Sequence, residues 1–330
     1  MIKQPHGGGI LAAARRYGIA PGEWLDLSTG INPRGWRPPR VPPALWQRLP
    51  QDDDDLAEQA ARYYGGAVVL PVAGSQAAIQ ALPRLRAPGR VALLTPMYAE
   101  HAQAWRRCGH TVRELPADAL FDTDDADVIV LANPNNPTGA RFAPPDLLAL
   151  HGRQRRGGWL VVDEAFMDAT AHLSLAGHTP RQGLIILRSL GKFFGLAGAR
   201  VGFVLAWPAL LERLSAELGP WTLAGPARWA AARALADQDW IARTRTRLAR
   251  DSARLARLLT AHRLPPAGGC ALFQWVRSER ARALHEALAG HGILTRLFDV
   301  PASLRFGLPG SAANWRRLDQ ALAACRAKLP

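Results

Sequence analysis

At 330 residues the chain exceeds an ordinary single domain, so two lobes are expected. Hydrophobic residues make up 48% and charged residues 21%, which excludes a disordered or fibrous chain. The formal net charge of +14 points first to nucleic acid, but the arginines are scattered through Ala- and Leu-rich helical stretches, with no basic tail and no aromatic–basic alternation; nucleic acid is set aside as a partner, and the basic surface is left to speed the arrival of an anionic substrate.

Residues 1–40 are rich in Gly and Pro and read as an irregular N-terminal arm with one short helix, Ile10–Tyr17, packing on a small domain. They contain no apolar stretch followed by a cleavage site, and no apolar run in the chain approaches membrane-spanning length, so a cytoplasmic protein without a membrane partner is expected. The acidic run at 52–55 precedes the helical LAEQAARYYGG and reads as a helix N-terminus, where carboxylates meet the positive end of the dipole. Short apolar, β-branched runs then recur at 67–72, 90–96, 126–134, 158–166, 183–190 and 200–206, separated by helix-like segments. Near-continuous apolar strands alternating with helices indicate a mostly parallel sheet covered on both faces, in a large domain over 41–225. After that sheet, PALLERLSAEL reads as a helix with Pro in its first turn. From 226 to about 262 the chain is helical, with Ile241, Leu248, Leu255 and Leu259 on one face. Residues 226–330 therefore hold an interdomain helix and a small α+β C-terminal domain, with strands at 270–276 and 303–309 and a helix in SERARALHEALAGHG between them. The three cysteines, Cys108, Cys270 and Cys325, are far apart and lack CxxC spacing, so neither a metal site nor a disulfide framework is expected.

Only three of the 41 basic residues are lysines: Lys3, Lys192 and Lys328. Lys192 sits among glycines and apolar residues in LRSLGKFFGLAGARVG, residues 187–202. Arg serves ion pairs better and stays protonated; Lys can lose its proton when desolvated and form an imine with a carbonyl. A lysine snorkelling from the edge of a core is the alternative.

Four strand ends carry polar residues, and strand ends are where an open parallel sheet presents its ligands. VAGSQAAI puts Gly74, Ser75 and Gln76 between a strand and a helix, where backbone N–H groups can approach a phosphate. LANPNNPTG follows a buried strand and carries Asn136, aimed at a ligand or closing an Asx-turn. LVVDEAF ends a third strand with Asp163, a carboxylate that needs a cationic partner at such depth. The 187–202 stretch adds Ser189, Lys192 and Arg200. A phosphate cup, a buried carboxylate, an amide donor and an imine-forming amine are together what pyridoxal phosphate requires.

In that order, NPNNPTG, VVDEAF and SLGKFFGLAGARVG resemble the fold type I pyridoxal-phosphate enzymes of the class I/II aminotransferase branch, over nearly the whole chain. The resemblance implies an α/β fold: a large domain with a mostly parallel seven-stranded sheet, a small α+β C-terminal domain and an N-terminal arm. It implies pyridoxal 5'-phosphate as cofactor and a homodimer with shared active sites. Lys192 would join the cofactor, Asp163 would pair with its protonated pyridine nitrogen, and Asn136 would donate to its phenolic oxygen. Ser189 and Arg200 would hold the phosphate beside Gly74, Ser75 and Gln76, with Tyr98 stacked on the ring and His101 supporting Asp163.

Within the branch, HGGG, LDLSTGINPRGW, TPMYAEH and GPWTLAGPA look like the threonine-phosphate decarboxylase family of cobalamin biosynthesis, whose nearest relatives are histidinol-phosphate aminotransferases. That implies a small phosphorylated amino acid as substrate, with Arg305 on its carboxylate, Arg296 a candidate for its phosphate, and His6 and Asn32 of the arm folding over it. Two positions depart from the aminotransferases. Phe166 stands where they carry a Tyr that bonds the phenolic oxygen, as it does in the decarboxylases. Leu49, in RLPQ, stands where both relatives carry a Tyr that reaches the partner subunit's cofactor phosphate; either that phosphate has one donor fewer, or a residue such as Tyr63 or Tyr64 compensates. Transamination of a histidinol-phosphate-type substrate is the alternative reaction, because the same cofactor residues serve both.

Overall fold

The computed structural model describes residues 6–65 and 68–328; Lys3 and the Ala67 end of the expected 67–72 strand lie outside them. In chain order the strands are β1 (Leu25–Asp26), β2 (Val69–Val72), β3 (Arg90–Leu94), β4 (Thr111–Leu115), β5 (Val128–Ala132), β6 (Trp159–Asp163), β7 (Leu184–Ser189), β8 (Gly202–Leu205), β9 (Gly268–Cys270), β10 (Phe273–Arg277), β11 (Ile293–Leu294), β12 (Arg296–Phe298) and β13 (Ser303–Gly307). The chain divides into two compact units. The larger comprises Gly35–Asn136 and Arg141–Arg245; the smaller comprises Met1–Arg34, Pro137–Ala140 and Thr246–Pro330.

The large unit is built on a seven-stranded sheet in the order β2-β8-β7-β6-β5-β3-β4. Its five strands from β4 to β7 are parallel, while β8 runs antiparallel to both β7 and β2. Every residue of β5 and β6 is buried, as continuous apolar runs covered on both faces require. The helix Pro208–Leu218 buries Leu210, Leu211 and Leu214 in the same core as Val91, Val130, Val161 and Ile185. Strand β4, TVREL, is absent from the apolar runs read in the sequence, because an edge strand with exposed charges breaks the pattern. Strand β3 stops at Leu94, short of 96, since Pro96 has no N–H for a ladder. Strand β6 stops at Asp163, short of 166, where the Asp163 side chain takes the Ala165 N–H at 3.0 Å and turns the chain away.

The acidic run does more than face a helix dipole. Asp54 accepts the Leu56 N–H at 3.2 Å as the helix Leu56–Tyr64 begins. Asp52 and Asp54 together grip the buried Arg228 guanidinium with three hydrogen bonds of 2.7 Å, tying this segment to the helix Gly225–Ala236.

The small unit holds an antiparallel sheet, β12-β13-β10-β9, and a short parallel pair, β1 with β11. The run 270–276 is a hairpin and not one strand: Cys270 ends β9 and pairs with Phe273, which begins β10. The long helix Gln238–Ala261 buries Ile241, Leu248, Leu255 and Leu259, the face its heptad-like spacing predicts. Ile10–Tyr17 is helical and ends on Gly18 in the left-handed region. Arg16 holds Glu286 of the helix Ala281–Gly290 with bonds of 2.9 and 3.0 Å, and the Tyr17 hydroxyl donates to the same carboxylate. Burial, with Glu286 beside it, pushes the Tyr17 hydroxyl up to about 12. Among the described residues no helix is long and apolar enough to cross a membrane.

Candidate active site

The register of the large sheet aligns its polar strand ends. Ala132 pairs with Asp163 and Asp163 with Leu187, so β5 and β6 finish level and β7 runs on past them to Ser189. Gly202, the first residue of β8, pairs with Ser189 on one side and Val72 on the other. One rim therefore carries the loop holding Asn136, then Asp163, Ser189, Lys192, Arg200 and the Gly74–Gln76 turn.

Asp163 is 6% exposed, and its Oδ2 lies 3.0 Å from Nε2 of His101, itself 1% exposed. His101 rides on the helix Glu100–Arg107, and the ring of Tyr98 meets it edge-on at 6.3 Å. The Tyr98 hydroxyl donates to Gln76 Oε1 at 3.2 Å, and Gln76 Nε2 donates to Glu100 at 2.9 Å. The turn after β2 and the helix after β3 are thus joined around the ring of Tyr98.

The Gly74–Gln76 turn is a cradle that larger residues would fill. Gly74 has φ +72°, and a Cβ there would stand 2.7 Å from the Arg200 guanidinium. A Cβ on Gly202 would stand 2.4 Å from the Ser75 nitrogen. Arg200 adopts φ 54°, a left-handed conformation that costs a non-glycine residue about 1–3 kcal/mol. Its Nη1 donates to Ala197 O at 3.2 Å, and the Ser189 hydroxyl accepts the Gly191 N–H at 3.2 Å. Two serines, an arginine and the backbone nitrogens of a glycine turn form a donor set suited to a phosphoryl group, so the residues fit pyridoxal phosphate.

Lys192 is half-buried, with Nζ 5.4 Å from the centre of the Phe166 ring. Asn136 is half-buried in a loop fastened by its neighbours. Asn133 exchanges hydrogen bonds of 3.0 and 3.1 Å with the Phe142 backbone, and Asn135 donates to Pro96 O at 2.9 Å.

Sequence reasoning missed what braces this rim from behind. Arg188, 1% exposed, donates to Glu164 and to Asp168 at 2.6 Å each, and its guanidinium lies 4.6 Å over the Tyr64 ring. Glu164 also accepts the Leu175 N–H at 2.8 Å, and Tyr63 donates to Asp168 at 3.1 Å. Burial pulls Arg188 down, but Asp168 and Glu164 overcome it and hold the guanidinium above its ordinary value. Burial raises the Glu164 carboxyl, with Arg188 pulling the other way. Since Glu164 follows Asp163 and Arg188 precedes Ser189, this pair locks two site residues on adjacent strands. Opposite charges in two neighbouring apolar runs were the available signal. Tyr63 and Tyr64, the candidates for replacing the tyrosine missing at Leu49, both belong to this network, through Asp168 and Arg188; Leu49 itself is 65% exposed.

The remaining residues belong to the small unit. Arg305 on β13 is 5% exposed, stands opposite Arg296 on β12, and donates through Nη2 to the Ser28 carbonyl. Desolvation, then Arg296, lowers the Arg305 guanidinium to about 10. Two arginines directly opposed in a sheet are unfavourable unless an anion answers them. Arg296 is half-buried, with its guanidinium 5.2 Å over the Phe298 ring. Asn32 is buried, its Oδ1 accepting the Arg34 N–H at 3.0 Å, and His6 is exposed at the start of the described chain. Among the described residues no group of His, Cys, Asp or Glu converges as metal ligands would.

The profile of the aminotransferase class I and II family matches residues 44–322. A threonine-phosphate decarboxylase of Pseudomonas aeruginosa is 57% identical over 319 residues, 96% of each chain. Another, from a Sinorhizobium species, is 48% identical over 327 residues, 96% of this chain and 97% of the other. The histidinol-phosphate aminotransferase of Sinorhizobium meliloti, solved in complex with pyridoxal-5'-phosphate, superposes with a TM-score of 0.83 at 22% identity, covering 100% of this chain and 97% of that one.

Proposed function

Because the chain belongs to the aminotransferase class I and II family, we propose that it is a pyridoxal-phosphate-dependent carbon–carbon lyase that converts L-threonine O-3-phosphate to (R)-1-amino-2-propanol O-2-phosphate for cobalamin biosynthesis. The near full-length identity to threonine-phosphate decarboxylases carries this reading. Phe166 supports it against the histidinol-phosphate alternative, because it offers no hydroxyl where those aminotransferases have one.

Bound pyridoxal phosphate supplies an electron sink for whichever Cα bond stands perpendicular to its ring. Ser75, Ser189, Arg200 and the 74–76 backbone would hold its phosphate, Tyr98 would cover its ring, and Asn136 would donate to its phenolic oxygen. Asp163, oriented by His101, keeps the pyridine nitrogen protonated. Lys192 would hold the cofactor through its amine, and that amine, when not so engaged, could return a proton to Cα. All of these residues serve either reaction. Arg305 and Arg296 would take the carboxylate and the phosphate, with His6 and Asn32, and so decide which bond is presented. We place the enzyme in the cytoplasm as a homodimer with shared active sites. Trp46 and Leu49, 70% and 65% exposed on one short segment, support a partner surface.

Purified enzyme with threonine phosphate is expected to release carbon dioxide without a keto acid, and Lys192→Ala to lack the visible band that borohydride bleaches. Keto-acid-dependent amine transfer from histidinol phosphate, with no gas released, overturns the assignment.

A further inference from the structure

We propose that Ser28, wedged between the Gly7–Gly8 backbone and Arg305, is a positioning residue that sets the direction of the carboxylate-binding guanidinium, and that the glycine arm sets Ser28. The proposal rests on the functional reading above and adds a specificity device to it.

The segment 25–28 is fastened along both edges. Leu25 and Leu27 donate to the carbonyls of Gly292 and Leu294 at 2.8 Å, and the Leu27 carbonyl accepts the Gly307 N–H at 2.7 Å. Asp26 then fixes the next residue, its Oδ1 taking the Ser28 N–H at 2.8 Å and the Ser28 hydroxyl at 2.5 Å. Ser28 is 2% exposed, and with its nitrogen and hydroxyl held its carbonyl has a fixed direction. That carbonyl accepts from Arg305 Nη2. A neutral carbonyl orients a guanidinium without cancelling its charge, and so suits a group that must later meet a carboxylate.

The arm closes over the same peptide group. Gly8 N donates to the Ser28 hydroxyl at 2.8 Å, and Gly8 has φ +87°. A Cβ on Gly7 would stand 2.5 Å from the Ser28 carbonyl oxygen and 2.9 Å from its carbon. No side chain fits there while that carbonyl stays where Arg305 meets it. The glycines of HGGG therefore do more than loosen a terminus: position 7 has to lack a side chain for the guanidinium to keep its acceptor.

Threonine phosphate carries the carboxylate that Arg305 would read; its product, 1-amino-2-propanol phosphate, lacks it. Both are titrated into holoenzyme and followed by the change in cofactor absorption. Gly7→Ala is expected to weaken threonine phosphate about tenfold, the loss of one charge-assisted hydrogen bond, while the product's affinity stays within about twofold. Ser28→Ala keeps the carbonyl and the N–H bond to Asp26 but loses the hydroxyl's bonds to Gly8 and Asp26. It is expected to shift affinity in the same direction by a smaller factor, and it carries the test should Gly7→Ala not fold. Equal losses for both compounds, or no loss for either, overturn the proposal. Wild-type enzyme that binds neither compound overturns the functional reading and the proposal with it, a result distinct from equal losses in the variants.

Discussion

Arg188 in the large unit and Arg305 in the small one are both buried, at 1% and 5% exposed, yet they are held in opposite ways. Arg188 lies between two carboxylates at 2.6 Å and is raised above its ordinary value. Arg305 leans on a backbone carbonyl, faces another arginine across a strand pair, and is lowered to about 10. A guanidinium gripped by two buried carboxylates is a brace; in the proposed reading Arg305, oriented by a carbonyl, would receive the substrate's carboxylate. Burial alone does not separate the two, and the partner's charge does.

The largest effect that would test this contrast is on stability. Arg188→Met leaves Glu164 and Asp168 as uncompensated buried acids, and a loss of about 3–5 kcal/mol is expected, read as a fall in melting temperature. Adding Glu164→Gln and Asp168→Asn should recover much of that loss; an unchanged melting temperature in the single variant would break the comparison. Next in size, Arg305→Lys keeps a charge but gives up the planar fork. It should raise KM for threonine phosphate by about 10- to 100-fold with little change in folding or in product affinity. Parallel losses for substrate and product would make Arg305 a brace as well. The smallest effect is in pH. Arg305 is charged below about 10, so affinity for the carboxylate-bearing substrate should hold at lower pH and fall as pH rises through that value, with no matching fall for the product. Substrate affinity that stays level beyond pH 10 counts against the lowered guanidinium.

Much of this was readable in the residues. The covered strands announced themselves through unbroken apolar runs such as VIVLA and WLVVD, and the rim through polar residues placed directly after them. Lys192 stood out because lysine is scarce in this chain. Strand β4 escaped because pairing on one edge does not demand apolar residues. Arg188 escaped for a different reason: among so many arginines its one local mark is its place in the apolar run LIILRS, and its partners lie 20 and 24 residues away in sequence. Ser28 left no local mark either, since its task depends on a carbonyl, which every residue has, and on two segments 20 and 277 residues distant.

Strand β8 has antiparallel neighbours on both sides, so it delivers its first residues to the rim where β2, β5, β6 and β7 deliver their last. Ser189, Lys192 and Arg200 consequently share one hairpin, and the Gly74 turn comes from β2, an end strand with a single hydrogen-bonded neighbour. In the proposed reading a molecule gripped by all four would work as a clasp on the sheet's open margin. Loading it should then slow amide exchange in β2 more than in the interior strands, which are already sealed.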